Sequence, residues 1–141
     1  MLIQHPPHHC HCAVCCEPFF SNHQPIEFQS LTDDRVTAQI VATEKMQGYR
    51  GVMQGGLIST LHDSAMTHCL FAKDIHAMTA ELTVRYLSPV PLYQSLTVEA
   101  TLIKQKRTIY YLDSSIFCGE QCLSTATAKF MCQGNNEYFK K

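Results

Sequence analysis

The 141-residue sequence predicts an α+β fold, with an antiparallel β-sheet of five to six strands wrapped around one long central α-helix. Three observations carry the prediction. Between Arg50 and Lys73 lies a helical stretch, opened by Gly55-Gly56, in which Asp63 is the one formally charged residue. A surface helix spreads charge along one face, so a helix with a single carboxylate is expected to be buried on most sides. Apolar residues alternate with a period of two in residues 26–42 before this helix and in residues 78–132 after it. The strands are segregated from the helix and do not alternate with others, which argues against a parallel α/β sheet.

Each element follows in order. Residues 26–31 alternate, and Thr32-Asp33-Asp34-Arg35 supplies a turn. Val36, Ala38, Ile40 and Ala42 form the buried side of a second strand. On the helix, Leu57, Ile58, Leu61, Ala65, Cys69 and Ala72 share one side, Ser59, Asp63 and Thr67 lie opposite, and Met66, Leu70 and Phe71 are interleaved with them. Next comes a strand with Met78, Ala80, Leu82, Val84 and Tyr86 on one face and Thr79, Glu81, Thr83 and Arg85 on the other, ended by Ser88-Pro89-Val90-Pro91. Three more strands follow, turning at Lys104–Arg107 and around Gly119-Glu120-Gln121. The expected organisation is an N-terminal His/Cys-rich arm over residues 1–24, one domain over 25–133, and a tail over 134–141.

Composition excludes several classes. A net charge of −1 gives no electrostatic case for nucleic acid or an anionic membrane as partner. The first residues lack a basic and then apolar leader pattern, and no apolar run reaches membrane-spanning length, so the expected location is cytoplasmic. Eight cysteines in such a chain are expected to be free thiols or metal ligands, not disulfides. Cys69, Cys118, Cys122 and Cys132 fall in periodic segments and read as small core residues. Cys12 and Cys15 have the C-x-x-C spacing of a zinc knuckle, with His8, His9, His11, Cys10 and Cys16 as neighbours able to complete a ligand set. A finger or ribbon needs a second ligand pair roughly 12 to 20 residues on, and the next candidate, His23, stands alone, so the tract is read as a poorly ordered arm and no metal or cofactor is assigned.

The residues that can carry chemistry are Gln54-Gly55-Gly56 and Asp63. The first N–H groups of a helix lack internal partners and sit at the positive end of its dipole, where they can polarise a carbonyl. Asp63 lies two turns further on, roughly 11 Å along the axis. Two antiparallel helices across a dimer would bring one helix's Asp63 to the other's glycine end. A dimer is also expected because one sheet would leave the far side of so uncharged a helix exposed.

The stretch Y-R-G-V-M-Q-G-G-L-I-S-T-L-H-D-S-A-M, followed by T-A-E-L-T-V-R-Y-L-S-P-V, resembles the hotdog-fold acyl-CoA thioesterases of the PaaI type, over residues 26 to 132. The resemblance implies a hydrolase acting on an acyl-CoA thioester, in a homodimer or homotetramer with sites between subunits. It makes Asp63 the general base or nucleophile, and Gly55 or Gly56 the N–H donor to the thioester carbonyl. Thr79 becomes a helper of the attacking water, reaching in from the other subunit. Gln54 stands at the family's usual histidine, and Gly48 where some members carry a water-positioning Asn. Arg85, Lys104, Lys106 and Arg107 are candidates for the nucleotide phosphates. Two other readings remain: a non-catalytic acyl-CoA-binding hotdog, and a hydratase, which needs a His paired with an acid, although neither His62 nor His68 on the helix sits at that family's position.

Overall fold

The computed structural model describes residues 2–17, 20 and 25–132. The tail expected over 134–141 lies outside these residues. Strands β1 (Gln29–Thr32) and β2 (Arg35–Val41) precede helix α1 (Gly55–Phe71). Strands β3 (Met78–Tyr86), β4 (Ser95–Lys106), β5 (Ile109–Cys118) and β6 (Gln121–Met131) follow it. They form one antiparallel sheet of six strands, and α1 packs against β2, β3, β4, β5 and β6. The burial expected for the helix holds: Ile58, Leu61, Ala65, Met66, Cys69 and Leu70 are all buried.

Strand order departs from chain order. It runs β1-β2-β4-β5-β6-β3, so β3 lies at the far edge beside β6 and not next to β4 as its succession in the chain suggests. The helix is the reason. Its 17 residues span roughly 25 Å, which carries the chain across four strand spacings of about 4.8 Å. The gap left between β2 and the far edge is filled by β4, β5 and β6. Their register lines up one continuous face: Val36 opposes Ala100, Ala100 opposes Ser114, and Ser114 opposes Ala126. Small side chains along this row leave room for the helix to approach the sheet closely.

His62 occupies that room. It is fully buried, with Nδ1 2.8 Å from Ser114 Oγ and Nε2 2.8 Å from Ser124 Oγ. Ser124 donates its one hydroxyl proton to the Arg85 carbonyl at 2.8 Å. It therefore accepts from His62, which carries its proton on Nε2 and accepts from Ser114 at Nδ1. The ring is neutral: burial pulls its pKa down to about 4, and burial pulls that of His68 down to about 3.

The N-terminal segment is ordered by contact with the helix. Ile3 N–H donates to the Phe28 carbonyl at 2.9 Å, and His5 and His68 meet Nε2 to Nε2 at 2.8 Å. Phe28 stacks on His68, and Cys15 Sγ lies 3.2 Å from Ser64 Oγ. The poorly ordered arm expected from the sequence is therefore, over residues 2–17, a cover laid on the outer side of α1. Of the four cysteines expected in the core, Cys69 is buried, whereas Cys118, Cys122 and Cys132 lie half-buried near strand ends.

The loop entering α1 is tied in three places. Gly48 N–H donates to the Val52 carbonyl at 3.0 Å, Met53 N–H to Val90 at 2.8 Å, and Gln54 N–H to Met46 at 2.8 Å. Gly48 is pressed on Gln54 so closely that a Cβ there would stand 3.0 Å from Gln54 Cα.

Two outcomes follow for stability. Both buried histidines have folded-state pKa values below 6.5, so acid favours the unfolded chain, which binds more protons. Stability should fall between pH 6.5 and about 4, by on the order of 2–3 kcal/mol for His62. Calorimetric melts showing a flat midpoint across that window would contradict this. Gly48→Ala should cost about 1–3 kcal/mol, because the atom it meets is backbone and cannot rotate away. An unchanged urea midpoint would show that the loop has slack.

Candidate active site

Asp63 and Thr79 meet. The Thr79 hydroxyl donates to Asp63 Oδ1 at 2.5 Å, and both side chains line a cavity of about 370 Å³ with Thr67, Phe71, Met78 and His9. The contact lies within one chain, which corrects the expectation that Thr79 arrives from a second subunit. The alternation read from the sequence also placed Thr79 on the same face as Glu81. In the structure Thr79 opposes buried Phe130 and Glu81 opposes Lys129, with a register shift between them. A β-bulge at Ala80 is the cause. One extra residue flips the phase of the strand end and turns the Thr79 hydroxyl towards the helix. Beyond the bulge the regular alternation resumes, and Leu82, Val84 and Tyr86 oppose Ala128, Ala126 and Ser124.

The position of Asp63 raises its basicity. Burial pushes its carboxyl above the ordinary carboxylate range, and the Thr79 hydrogen bond offsets part of that rise. A desolvated carboxylate with one hydroxyl donor and an apolar wall is suited to accepting a proton from water or to attacking a carbonyl. Neither His62 nor His68 lines this cavity, so it offers no imidazole from the helix for a hydratase reaction.

At the other end of α1, Gln54 is the N-cap. Its Oε1 accepts from Leu57 N–H at 2.9 Å, a role the sequence reading did not give it. Gly56 makes that cap possible, since a Cβ there would fall 2.9 Å from Gln54 Oε1. The N–H groups of Gly55 and Gly56 make no hydrogen bond among the described residues, so they remain available to an acceptor from outside. Tyr86 is the residue sequence reasoning missed. Its hydroxyl donates to the Gly55 carbonyl at 3.1 Å and lies 2.7 Å from Ser59 Oγ, bracing the glycine turn from β3. Its one signal was an aromatic at the end of a strand, just before a Pro-rich turn.

The two halves of the predicted constellation do not meet within one chain, for Gly55 and Asp63 stand two turns apart on the same helix. Of the basic residues, Lys104 lies 4.7 Å from the Tyr111 ring centre, Lys106 and Arg107 sit at the exposed β4–β5 turn, and Arg85 is exposed on β3. None of the four lines the Asp63 cavity. Gly48, where relatives of the resembled type can carry Asn, lies so close to Gln54 that a side chain there would need the turn to shift.

Comparison with known proteins agrees with this architecture. The family model described as "Thioesterase superfamily" matches residues 50–124, the segment from the glycine turn to β6. Acyl-coenzyme A thioesterase 13 of Homo sapiens is 25% identical over 113 residues, which cover 79% of this chain and 76% of that protein. Acyl-coenzyme A thioesterase THEM4 of Rattus norvegicus is 30% identical over 106 residues, covering 74% of this chain and 46% of that protein. Among solved structures, the E. coli PaaI protein from the phenylacetic acid degradation operon superposes with a TM-score of 0.71 at 18% identity, over 76% of this chain and 82% of its own. A helix buried against a six-stranded antiparallel sheet, with the matched motif at its glycine turn, leads to one assignment: the chain belongs to the thioesterase superfamily and is a hotdog-fold thioester hydrolase.

Proposed function

We propose that the protein hydrolyses acyl-CoA thioesters to a free acid and coenzyme A, with Asp63 as general base or nucleophile. The observation that carries the reading is the Thr79–Asp63 contact, which fixes one oxygen of a carboxylate that lines the cavity. The names of the relatives support coenzyme A as the leaving group. In this reading the thioester carbonyl accepts from Gly55 or Gly56 N–H at the helix end of a second subunit. Losing one such donor costs about 3 kcal/mol of transition-state stabilisation. Gln54 presets that turn through its cap to Leu57, and its side-chain NH2 can face the substrate.

A second copy of the chain would complete the site. The outer edge of β3 has no strand partner among the described residues, and Met78, Tyr86 and Leu87 are exposed along or just beyond it. Antiparallel pairing of two β3 edges would set the helices head to tail, one chain's Asp63 near the other's glycine turn. The earlier reason for a dimer, a bare outer face of the helix, gives way to this one, because the N-terminal segment already covers much of that face. A non-catalytic acyl-CoA-binding protein is the second reading, favoured by Gln54 in the position of the family's histidine. Sustained thiol release from a panel of acyl-CoAs supports hydrolysis, whereas binding without release supports the second reading.

Three outcomes test the mechanism. Asp63→Asn should lower kcat by about 10²–10⁴-fold. Its thermal midpoint near neutral pH should be unchanged or higher, because a carboxyl whose pKa is raised on folding opposes folding once ionised. Near wild-type turnover would remove Asp63 from the chemistry. Thr79→Val removes the contact that lowers the Asp63 pKa, so the acidic limb of kcat/KM should move to higher pH; a limb that stays put would separate the two residues. Gly55→Pro deletes one N–H at the first helical position, where proline is tolerated. Mixing inactive Asp63→Asn and Gly55→Pro chains should restore about a quarter of wild-type activity if sites are shared in a dimer. No restoration in verified mixed dimers would place the whole site in one chain.

A further inference from the structure

We propose that the N-terminal segment binds one zinc ion per chain through His9, Cys12 and Cys15. A ring nitrogen of His9 and the two sulfurs lie within 4.8 Å of one another. In a tetrahedral site with Zn–S near 2.3 Å and Zn–N near 2.0–2.1 Å, neighbouring donors stand roughly 3.5–3.8 Å apart. The three donors therefore need to close by roughly 1.3 Å at most, within the reach of side-chain rotation.

The surrounding structure is built for this. Residues 12–16 form a tight turn closed by Cys16 N–H donating to the Cys12 carbonyl at 3.1 Å. The same turn aims Cys15 N–H at Cys12 Sγ, at 3.4 Å, which fixes the position of that sulfur. Ser64 Oγ stands 3.2 Å from Cys15 Sγ and can steady the second sulfur from outside the coordination sphere. Nε2 of His9 is buried and has no hydrogen-bond partner among the described residues, a deficit that a metal bound through that nitrogen would remove. Cys16 is engaged elsewhere, donating to the His9 carbonyl at 2.6 Å, so the fourth position is left to water.

Two thiolates and one imidazole form a soft donor set that suits zinc. On binding, two S–H bonds break, two Zn–S bonds form, and two protons leave to solvent. The resulting site is electrically neutral, which fits its partly buried place. Zinc here does not touch the reacting atoms. His9 borders the Asp63 cavity, and Ser64 follows Asp63 on the helix. The ion would pin the N-terminal cover to the helix beside the carboxylate and hold one wall of the cavity.

The 141-residue chain, stripped by chelator, can be titrated with Zn²⁺ and with Co²⁺ as a spectroscopic probe. The expected result is one equivalent per chain, two protons released, and sulfur-to-cobalt charge-transfer absorption. Cys12→Ser and His9→Ala should each weaken binding by at least roughly tenfold, while Cys132→Ser leaves it unchanged. Cys12 is only half-buried, so its variant should melt with the metal-free wild type, and Zn²⁺ should raise the midpoint of the wild type more than that of the Cys12→Ser chain. Stoichiometry well below one, absence of the charge-transfer band, or undiminished binding in both ligand variants would overturn the site. None of these readouts depends on thioester hydrolysis.

Discussion

His62 meets the sheet at its centre, and its hydrogen bonds to Ser114 and Ser124 fix the rotation of α1 about its own axis. With 100° between successive residues, that one orientation decides where the neighbours point. Asp63 is turned towards β3 and Thr79, and Ser64 towards the N-terminal segment and Cys15. Ser59, a turn earlier, reaches Tyr86 on the same strand as Thr79. An apolar residue at position 62 would fill the same space without setting a direction, and two serines beneath it would then lack their partner. The buried polar cluster costs stability in acid and in return gives the helix a defined orientation.

The proposed chemistry rests on a carboxylate that the fold disfavours. Burial destabilises ionised Asp63, and one short hydrogen bond from Thr79 compensates in part. The balance leaves a base stronger than a solvated aspartate. The bulge at Ala80 makes this possible, since a regular strand would direct Thr79 away from the helix. Tyr86 then braces the glycine turn from the other end of the same strand, so β3 contacts both Asp63 and the glycine end of α1.

The N-terminal segment changes the role of the helix's outer face. Contacts from His5 and Cys15, next to Phe28 stacked on His68, cover part of the side that a lone sheet leaves open. His8 and His9 also border the Asp63 cavity, so a segment outside the matched family region shapes the site. Residues that read as a loose arm in one dimension are part of the wall in three.

By itself the sequence determined the elements: six alternating stretches, one helix of nearly uncharged composition, and a lone carboxylate two turns beyond a paired glycine. These are local signals, written in period, charge and turn chemistry, and a reader needs no contacts to see them. The wider motif also pointed to the hotdog family, because its spacing reflects the same helix seated on the same sheet. Strand order, the face presented by Thr79, the capping role of Gln54 and the proximity of His9 to Cys12 and Cys15 were decided only in the tertiary structure. Each depends on partners far away in sequence or on a single-residue irregularity. The shift at Ala80 is set by pairing with β6, and strict alternation cannot register it. The metal donors are brought together by a turn docked on α1, where pattern reading sought a second ligand pair that the chain does not contain.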